Sequence, residues 1–218
     1  MTTRCGGLLS LLGTLLGLPF CPYLNGMYAP LLAHIARYVA LTPAEADLLL
    51  SYLRHQTVAR KDLMLTAGHV CPANYFLLKG CVRTYFLTET GKEHTTYFSI
   101  ENWWVADYAS LSTRTPSDFY IQAIEDVEVA ALDLQAQEEV LRRLPQLERY
   151  FRIIFQRAMT AAQFRFKFLF GLSGEARYQA FTKAQPEFVQ RVPQYMLASY
   201  LGFTPEFLSK IRAKMGHE

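Results

Sequence analysis

Residues 192–215 read VPQYMLASYLGFTPEFLSKIRAKM, two short amphipathic segments on either side of Gly202, the second carrying Lys210, Arg212 and Lys214. With Gly202 at the turn, Leu197, Ala198, Leu201, Phe203, Leu208 and Ile211 fall where the two helices of a helix-turn-helix pack on each other. Ala198 is small where the helices cross, and Gly202 suits a turn that needs positive φ. Thr204 caps the second helix and Pro205 takes its first position. The spacing therefore predicts a helix-turn-helix whose second helix turns Pro205, Glu206, Ser209 and Lys210 outward. Such a helix fits the major groove with its early residues at base edges. Glu206 is suited to accept from a cytosine amino group and Lys210 to donate to guanine. Gln194, Thr204, Arg212 and Lys214 are placed for phosphates, which fix register rather than sequence.

Working backward, helical spacing holds over residues 145–172. Leu147, Phe151, Ile154, Ala158, Ala161 and Arg165 follow one another at steps of four and three, the pattern of a coiled-coil seam. A second apolar stripe contains Tyr150, Ile153 and Phe164. A helix with two apolar faces needs two partners, read here as the rest of its own chain and the same helix of a second subunit. Gly171 and Gly174 mark a hinge, and another helix runs from there to about residue 184.

Before this segment the period changes to two. Gly68, Gly80 and Gly91 punctuate short runs (NYFLLKG, CVRTYFLTETGKEHTTYFSI, SDFYIQAIED and VEVAALD), with ETGKE as the clearest hairpin turn. This predicts an antiparallel β-roll beginning near Thr57. Two helices precede it, the second opened by Thr42-Pro43-Ala44-Glu45 as a capping box with a first-turn proline. The fold class expected is α+β: an antiparallel β-roll (a double-stranded β-helix), a long central dimerisation helix and a C-terminal helix-turn-helix domain. The division expected is an apolar extension at 1–26, a roll with its leading helices at 27–144, the dimerisation helix at 145–172 and the helix-turn-helix domain at 173–218.

Composition bounds the function. The chain has 218 residues, 51% of them hydrophobic, enough for one large domain or two small ones. Residues 27–135 carry 8 Lys and Arg against 12 Asp and Glu, residues 136–190 carry 9 against 5, and residues 191–218 carry 4 against 2. A polyanion partner would meet the basic back half. Cys5, Cys21, Cys71 and Cys81 form no CxxC pair and the five histidines no ligand-like spacing, so no metal, no cofactor and no enzyme is expected. The apolar run LLSLLGTLLGLPF at 8–20 is too short to span a bilayer and has no A-x-A site after it. It reads as an extension or mis-assigned start upstream of Met27 in a cytoplasmic protein, the alternatives being an extra apolar helix used in packing or a targeting signal.

An antiparallel roll, a long helix and a terminal helix-turn-helix together resemble the Crp/Fnr family of bacterial transcription regulators, from about residue 27 to residue 215. The resemblance implies a homodimer about the long helix, reading a near-palindromic site in double-stranded DNA. RNA polymerase and a small-molecule effector are further partners it implies. In such proteins a Gly-Glu-Leu stretch meets the ribose of a cyclic nucleotide and an Arg-Ser pair meets the phosphate. The matching stretch here is WWVADYASLSTRTPSDFYIQA, in which Ala106, Asp107 and Tyr108 replace Gly-Glu-Leu, and Ser117 and Asp118 stand where the Arg-Ser pair belongs. An anionic phosphate would meet Asp118 instead of a guanidinium. The pocket is therefore expected to be degenerate and not to bind cyclic AMP, with Trp103, Trp104, Tyr108, Phe119 and Tyr120 either filling it or, as the alternative, lining one for an unidentified apolar ligand. The alternative is a protein-interaction or ligand-sensing module on the same fold that does not bind DNA.

Overall fold

The computed structural model describes residues 26–215, so the apolar run at 8–20 lies outside the described residues. Helices α1 (Ala29–Ala36) and α2 (Pro43–Ser51) come first, the latter opened by the expected box: Thr42 N–H donates to Glu45 Oε2 at 2.7 Å and Glu45 N–H donates to Thr42 Oγ1 at 3.3 Å. Eight strands follow: β1 (Arg54–Val58), β2 (Leu63–Leu65), β3 (Asn74–Lys79), β4 (Val82–Leu87), β5 (Glu93–Ser99), β6 (Trp104–Val105), β7 (Tyr120–Ala123) and β8 (Val127–Leu132). They form two antiparallel sheets, ordered β1-β8-β3-β6 and β2-β7-β4-β5. Alternating residues of the two sheets, among them Leu77, Val82, Ile121 and Val129, bury a core between them. This is the α+β roll expected, with two additions. The first strand starts at Arg54 rather than Thr57, and a short helix α3 (Tyr108–Thr113) interrupts the strands.

The hairpin turns explain two glycines. Gly91 sits at φ 76° in the β4–β5 turn, where its N–H donates to Thr88 O at 2.8 Å. Gly80 joins β3 to β4 at φ 96°, and a Cβ there would lie 2.6 Å from Asp126 O. Both strain and clash then oppose a side chain. Gly80→Ala should lower stability by about 2 kcal/mol, read from thermal unfolding; an unchanged Tm would show that the turn relaxes freely.

Helices complete the chain: α4 (Leu134–Arg143), α5 (Gln146–Gly171), α6 (Gly174–Ala184), α7 (Pro186–Arg191), α8 (Gln194–Leu201) and α9 (Pro205–Met215). Asp133 caps α4 and Ser173 caps α6. The break expected at the two glycines falls at Leu172 and Ser173, so Gly171 still belongs to α5. Leu147, Tyr150 and Phe151 at the start of α5 join α1, α2 and α4 in a core against the outer face of the β3–β8 sheet. The last four helices build a second core around Leu197, Leu201 and Leu208, and Cys81, Phe98 and Ile124 of the roll contribute to it. No helix among the described residues is long and apolar enough to cross a membrane.

Candidate nucleic-acid interface and effector groove

In the terminal helix pair, Gly202 closes α8 at φ 75° and Phe203 N–H returns to Ala198 O at 2.8 Å. Leu197, Ala198, Leu201, Phe203, Leu208 and Ile211 are all buried between α8, α9 and α6. Thr204 Oγ1 accepts from Phe207 N–H at 3.2 Å, a cap of α9. With those positions inward, Pro205, Glu206, Ser209, Lys210 and Arg212 are exposed on α9. Glu206 is drawn into the same cap: its own backbone N–H and then the Thr204 hydroxyl hold its pKa below the usual carboxylate value, with Lys92 of the β4–β5 turn adding to the effect. Lys214 pairs with Glu175 of α6 at 2.8 Å. Gln194 is half-buried at the start of α8, its side-chain carbonyl enclosed without a partner.

Spacing alone did not anticipate that this pair is seated on its own roll. Ser199 Oγ accepts from Thr95 N–H at 2.9 Å and donates to Glu93 O at 3.0 Å, which ties α8 to the outer edge of β5. Arg165 of α5 donates to Tyr200 O at 3.0 Å, with its guanidinium 3.7 Å from the centre of the Tyr200 ring. Arg191 forks onto Glu101 at 2.9 and 3.0 Å and also contacts Glu125. Phe98 packs between Phe188 and Tyr200.

These contacts reassign part of the seam read along α5. Leu147 and Phe151 are buried against the roll and Arg165 serves the helix pair, so both ends of that stripe face the chain's own parts. Ile154 is half-buried, and Ala158 and Ala161 are exposed. The apolar surface left over lies part of a turn away: Phe155, Met159 (64% exposed), Phe166 (65%) and Phe170 (84%). A shallow groove between Ile153, Thr160, Ala161 and Phe164 runs beside it.

In the stretch from Trp103 to Tyr120, Asp107 caps α3, its Oδ1 accepting from Ala109 and Ser110 N–H at 3.1 and 3.2 Å. Its Oδ2 accepts from the Ser117 hydroxyl at 2.6 Å. Trp104 Nε1–H donates to the Tyr150 hydroxyl at 2.8 Å. The same hydroxyl shares a hydrogen bond with His34 Nδ1 at 2.8 Å; burial, then Arg37 and Arg157, hold the imidazole pKa below its usual value. Tyr108 meets Phe155 edge to face at 5.0 Å and reaches Asn74 Oδ1 at 3.3 Å. Trp104 thus packs between the roll and α5, whereas Tyr108 and Trp103 stay 37% and 45% exposed and Ala106 packs at the margin of the inter-sheet core. Phe119, Tyr120 and Asp118 border an open groove of about 530 Å³ that Phe86, Leu87, Ala67 and Pro116 also line. Cys71 and Cys81 are buried free thiols; burial raises the first and pushes the second up to about 12, so neither is a thiolate at neutral pH. Among the described residues, no three His, Cys, Asp or Glu stand together as a metal site.

Residues 55–143 match the family described as the cyclic nucleotide-binding domain. The chain is 25% identical over 202 residues to the transcriptional regulatory protein btr of Bordetella pertussis, covering 86% of this chain and 82% of that one. It is 23% identical over 175 residues to the anaerobic regulatory protein of Pasteurella multocida, covering 74% of this chain and 63% of the relative, less than two-thirds of its length. Among solved structures it resembles FixK2 of Bradyrhizobium japonicum (TM-score 0.64, 15% identity, 76% of this chain and 85% of that one). It also resembles the c-di-GMP-responsive regulator CLP of Xanthomonas campestris (TM-score 0.66, 13% identity, 81% and 92%). The curated relatives are named as regulators, and the chain has the fold of solved Crp/Fnr-family regulators, its roll being the part that matches the cyclic nucleotide-binding domain.

Proposed function

We propose that the protein is a homodimeric, sequence-specific DNA-binding transcription regulator whose roll has lost the usual cyclic-nucleotide chemistry. The observation that carries the reading is the terminal helix pair, in which six apolar side chains turn inward around a left-handed glycine while Glu206, Ser209, Lys210 and Arg212 stay exposed on α9. As a helix-turn-helix it would set α9 in the major groove, Glu206 and Lys210 toward bases and Arg212 toward phosphate. Lys214 and Thr204 are engaged with Glu175 and the α9 cap, and Gln194 is half-buried. Lys214 and Thr204 are nonetheless exposed, so a phosphate would compete with Glu175 and with the cap for them. Loss of cyclic-nucleotide binding follows from Asp107, which spends its carboxylate on the α3 N–H groups and on Ser117, and from Trp104, which packs beside α5 on Tyr150 and Phe151.

The test is selection of random duplex DNA by the purified protein at physiological salt. Enrichment of a near-palindrome with half-sites one helical turn apart is expected. On that site, Glu206→Ala and Lys210→Ala should each relax base preference by about 1–3 kcal/mol at a contacted pair. Arg212→Ala should weaken all sequences alike and reduce the salt slope by about one. Sequence-independent losses at both Glu206 and Lys210 would remove α9 from the bases, and no enrichment in buffer or in cell extract would favour an interaction module.

A further inference from the structure

The groove bordered by Asp118, Phe119 and Tyr120 inverts the chemistry of an anion site. The donors that an anion would seek beside it, the first N–H groups of α3 and the Ser117 hydroxyl, are already given to Asp107. What remains facing the opening is a carboxylate and aromatic rings. Asp118 is exposed at the rim, with no ion pair of its own among the described residues. Phe86 and Phe119 meet edge to face at 6.1 Å, and Tyr120 stacks on Tyr85 at 4.9 Å with planes 11° apart. The same stack already holds one cation, since the Arg83 guanidinium lies 4.1 Å from the centre of the Tyr85 ring. The titratable neighbour on the inner side is His94, packed on Phe86 at 5.2 Å. Burial, then Arg165 and Lys92, hold its pKa below the usual imidazole value, so it is neutral near pH 7 and adds no positive charge there.

We propose that this groove binds a small organic cation, an alkylated ammonium on an apolar body, with its charge toward Asp118 and its alkyl groups on Phe86, Phe119 and Tyr120. Ring faces carry negative quadrupole potential, and a cation held between such faces and a carboxylate recovers what it loses in leaving water. The volume of about 530 Å³ is in the range of small-molecule sites and exceeds what a single ammonium group needs, so the cation carries a further apolar part. The proposal deepens the reading of the roll as the sensing part of a regulator, and names the class of effector it would take.

The experiment is calorimetric titration of the full chain without DNA, using phenyltrimethylammonium and choline as probes. Uncharged 3,3-dimethylbutan-1-ol serves as a shape control and cyclic AMP as an anionic one. Saturable binding of the two cations is expected, at least tenfold tighter than the uncharged isostere, with none for cyclic AMP. Asp118→Asn should weaken the cations at least tenfold and leave the isostere unchanged; being exposed, it keeps the fold. Phe119→Leu should weaken both cations. Failure of the cations to bind, equal binding of the isostere, indifference to Asp118→Asn or saturable binding of cyclic AMP would each overturn the proposal. Because DNA is absent from this titration, such a failure is separable from failure of the DNA-binding reading, which the selection reports by itself.

Discussion

A Met159→Glu, Phe166→Glu double variant is expected to sediment as a monomer where the parent sediments as a dimer, and to lose at least 100-fold of its affinity for a selected operator. Helix α5 has 26 residues and is about 39 Å long at 1.5 Å per residue. Its first turns are covered by the roll and Arg165 and Phe168 meet the helix pair, while on another face Phe155, Met159, Phe166 and Phe170 form an apolar stripe open to solvent. Fully burying side chains of this size is worth about 1.5–3 kcal/mol each. Two glutamates seven residues apart would replace that gain with desolvated like charges. The DNA loss follows because a monomer engages one half-site and forfeits the effective concentration that the second supplies. A parent protein that is already monomeric, or a variant that stays dimeric, would move the interface off this face. Ala158→Glu and Ala161→Glu test the neighbouring face in the same way; dissociation by these but not by the first pair would return the seam to the stripe that the step pattern suggested.

The second large effect concerns Arg191. Its guanidinium is shared by Glu101 and Glu125, and Glu101 Oε1 also accepts from Gly80 N–H at 2.8 Å. Burial would raise the Glu101 pKa, but hydrogen bonds from Arg191 and from main-chain N–H groups outweigh it and hold the group below the usual carboxylate value. Arg191→Leu leaves two acidic side chains facing each other without a cation. The expected cost at pH 7 is about 3 kcal/mol, the low end for breaking a buried pair, since Arg191 and Glu101 remain 27% and 33% exposed. The sign of the pH dependence follows from the depressed carboxyl. Its contribution is complete above the ordinary glutamate pKa of about 4.3 and is lost as pH falls through the lower folded-state value. Urea unfolding should therefore show parent and variant far apart at pH 7 and converging below pH ~4. Equal midpoints at pH 7 would mean that the pair adds nothing to the seating of the helices on the roll.

Legibility from sequence tracked how local the governing physics was. The terminal helix pair was readable because Leu197, Leu201 and Leu208 recur at helical spacing around a glycine that must adopt positive φ. The roll was readable from period-two runs between glycines. Strand β1 was missed at its start because Arg54-His55-Gln56 has no apolar alternation, its pairing with β8 being carried by main-chain bonds. Strand β6 has two residues, too few to show a period. Asp107 falls where the resemblance implies a ribose contact, yet its short side chain caps α3, a local competition that alignment by position cannot see. The seam on α5 was misassigned at both ends because a stepped pattern identifies an apolar stripe without naming what covers it. Ser199 and Arg191 are ordinary polar residues until their partners arrive from 104 and 90 positions away.

The seating of α8 on β5 bears on how the protein stays in solution. β5 is the last strand of its sheet, and the main-chain groups on its outer side, Thr95 N–H and Glu93 C=O, are satisfied by Ser199. An outermost strand left bare offers those groups to any other chain and is a template for intermolecular pairing. Any movement that lifts the helix pair from the roll uncovers that template together with Tyr97 and Phe98. Seating of the terminal helix pair and protection against β-aggregation therefore depend on the same hydroxyl.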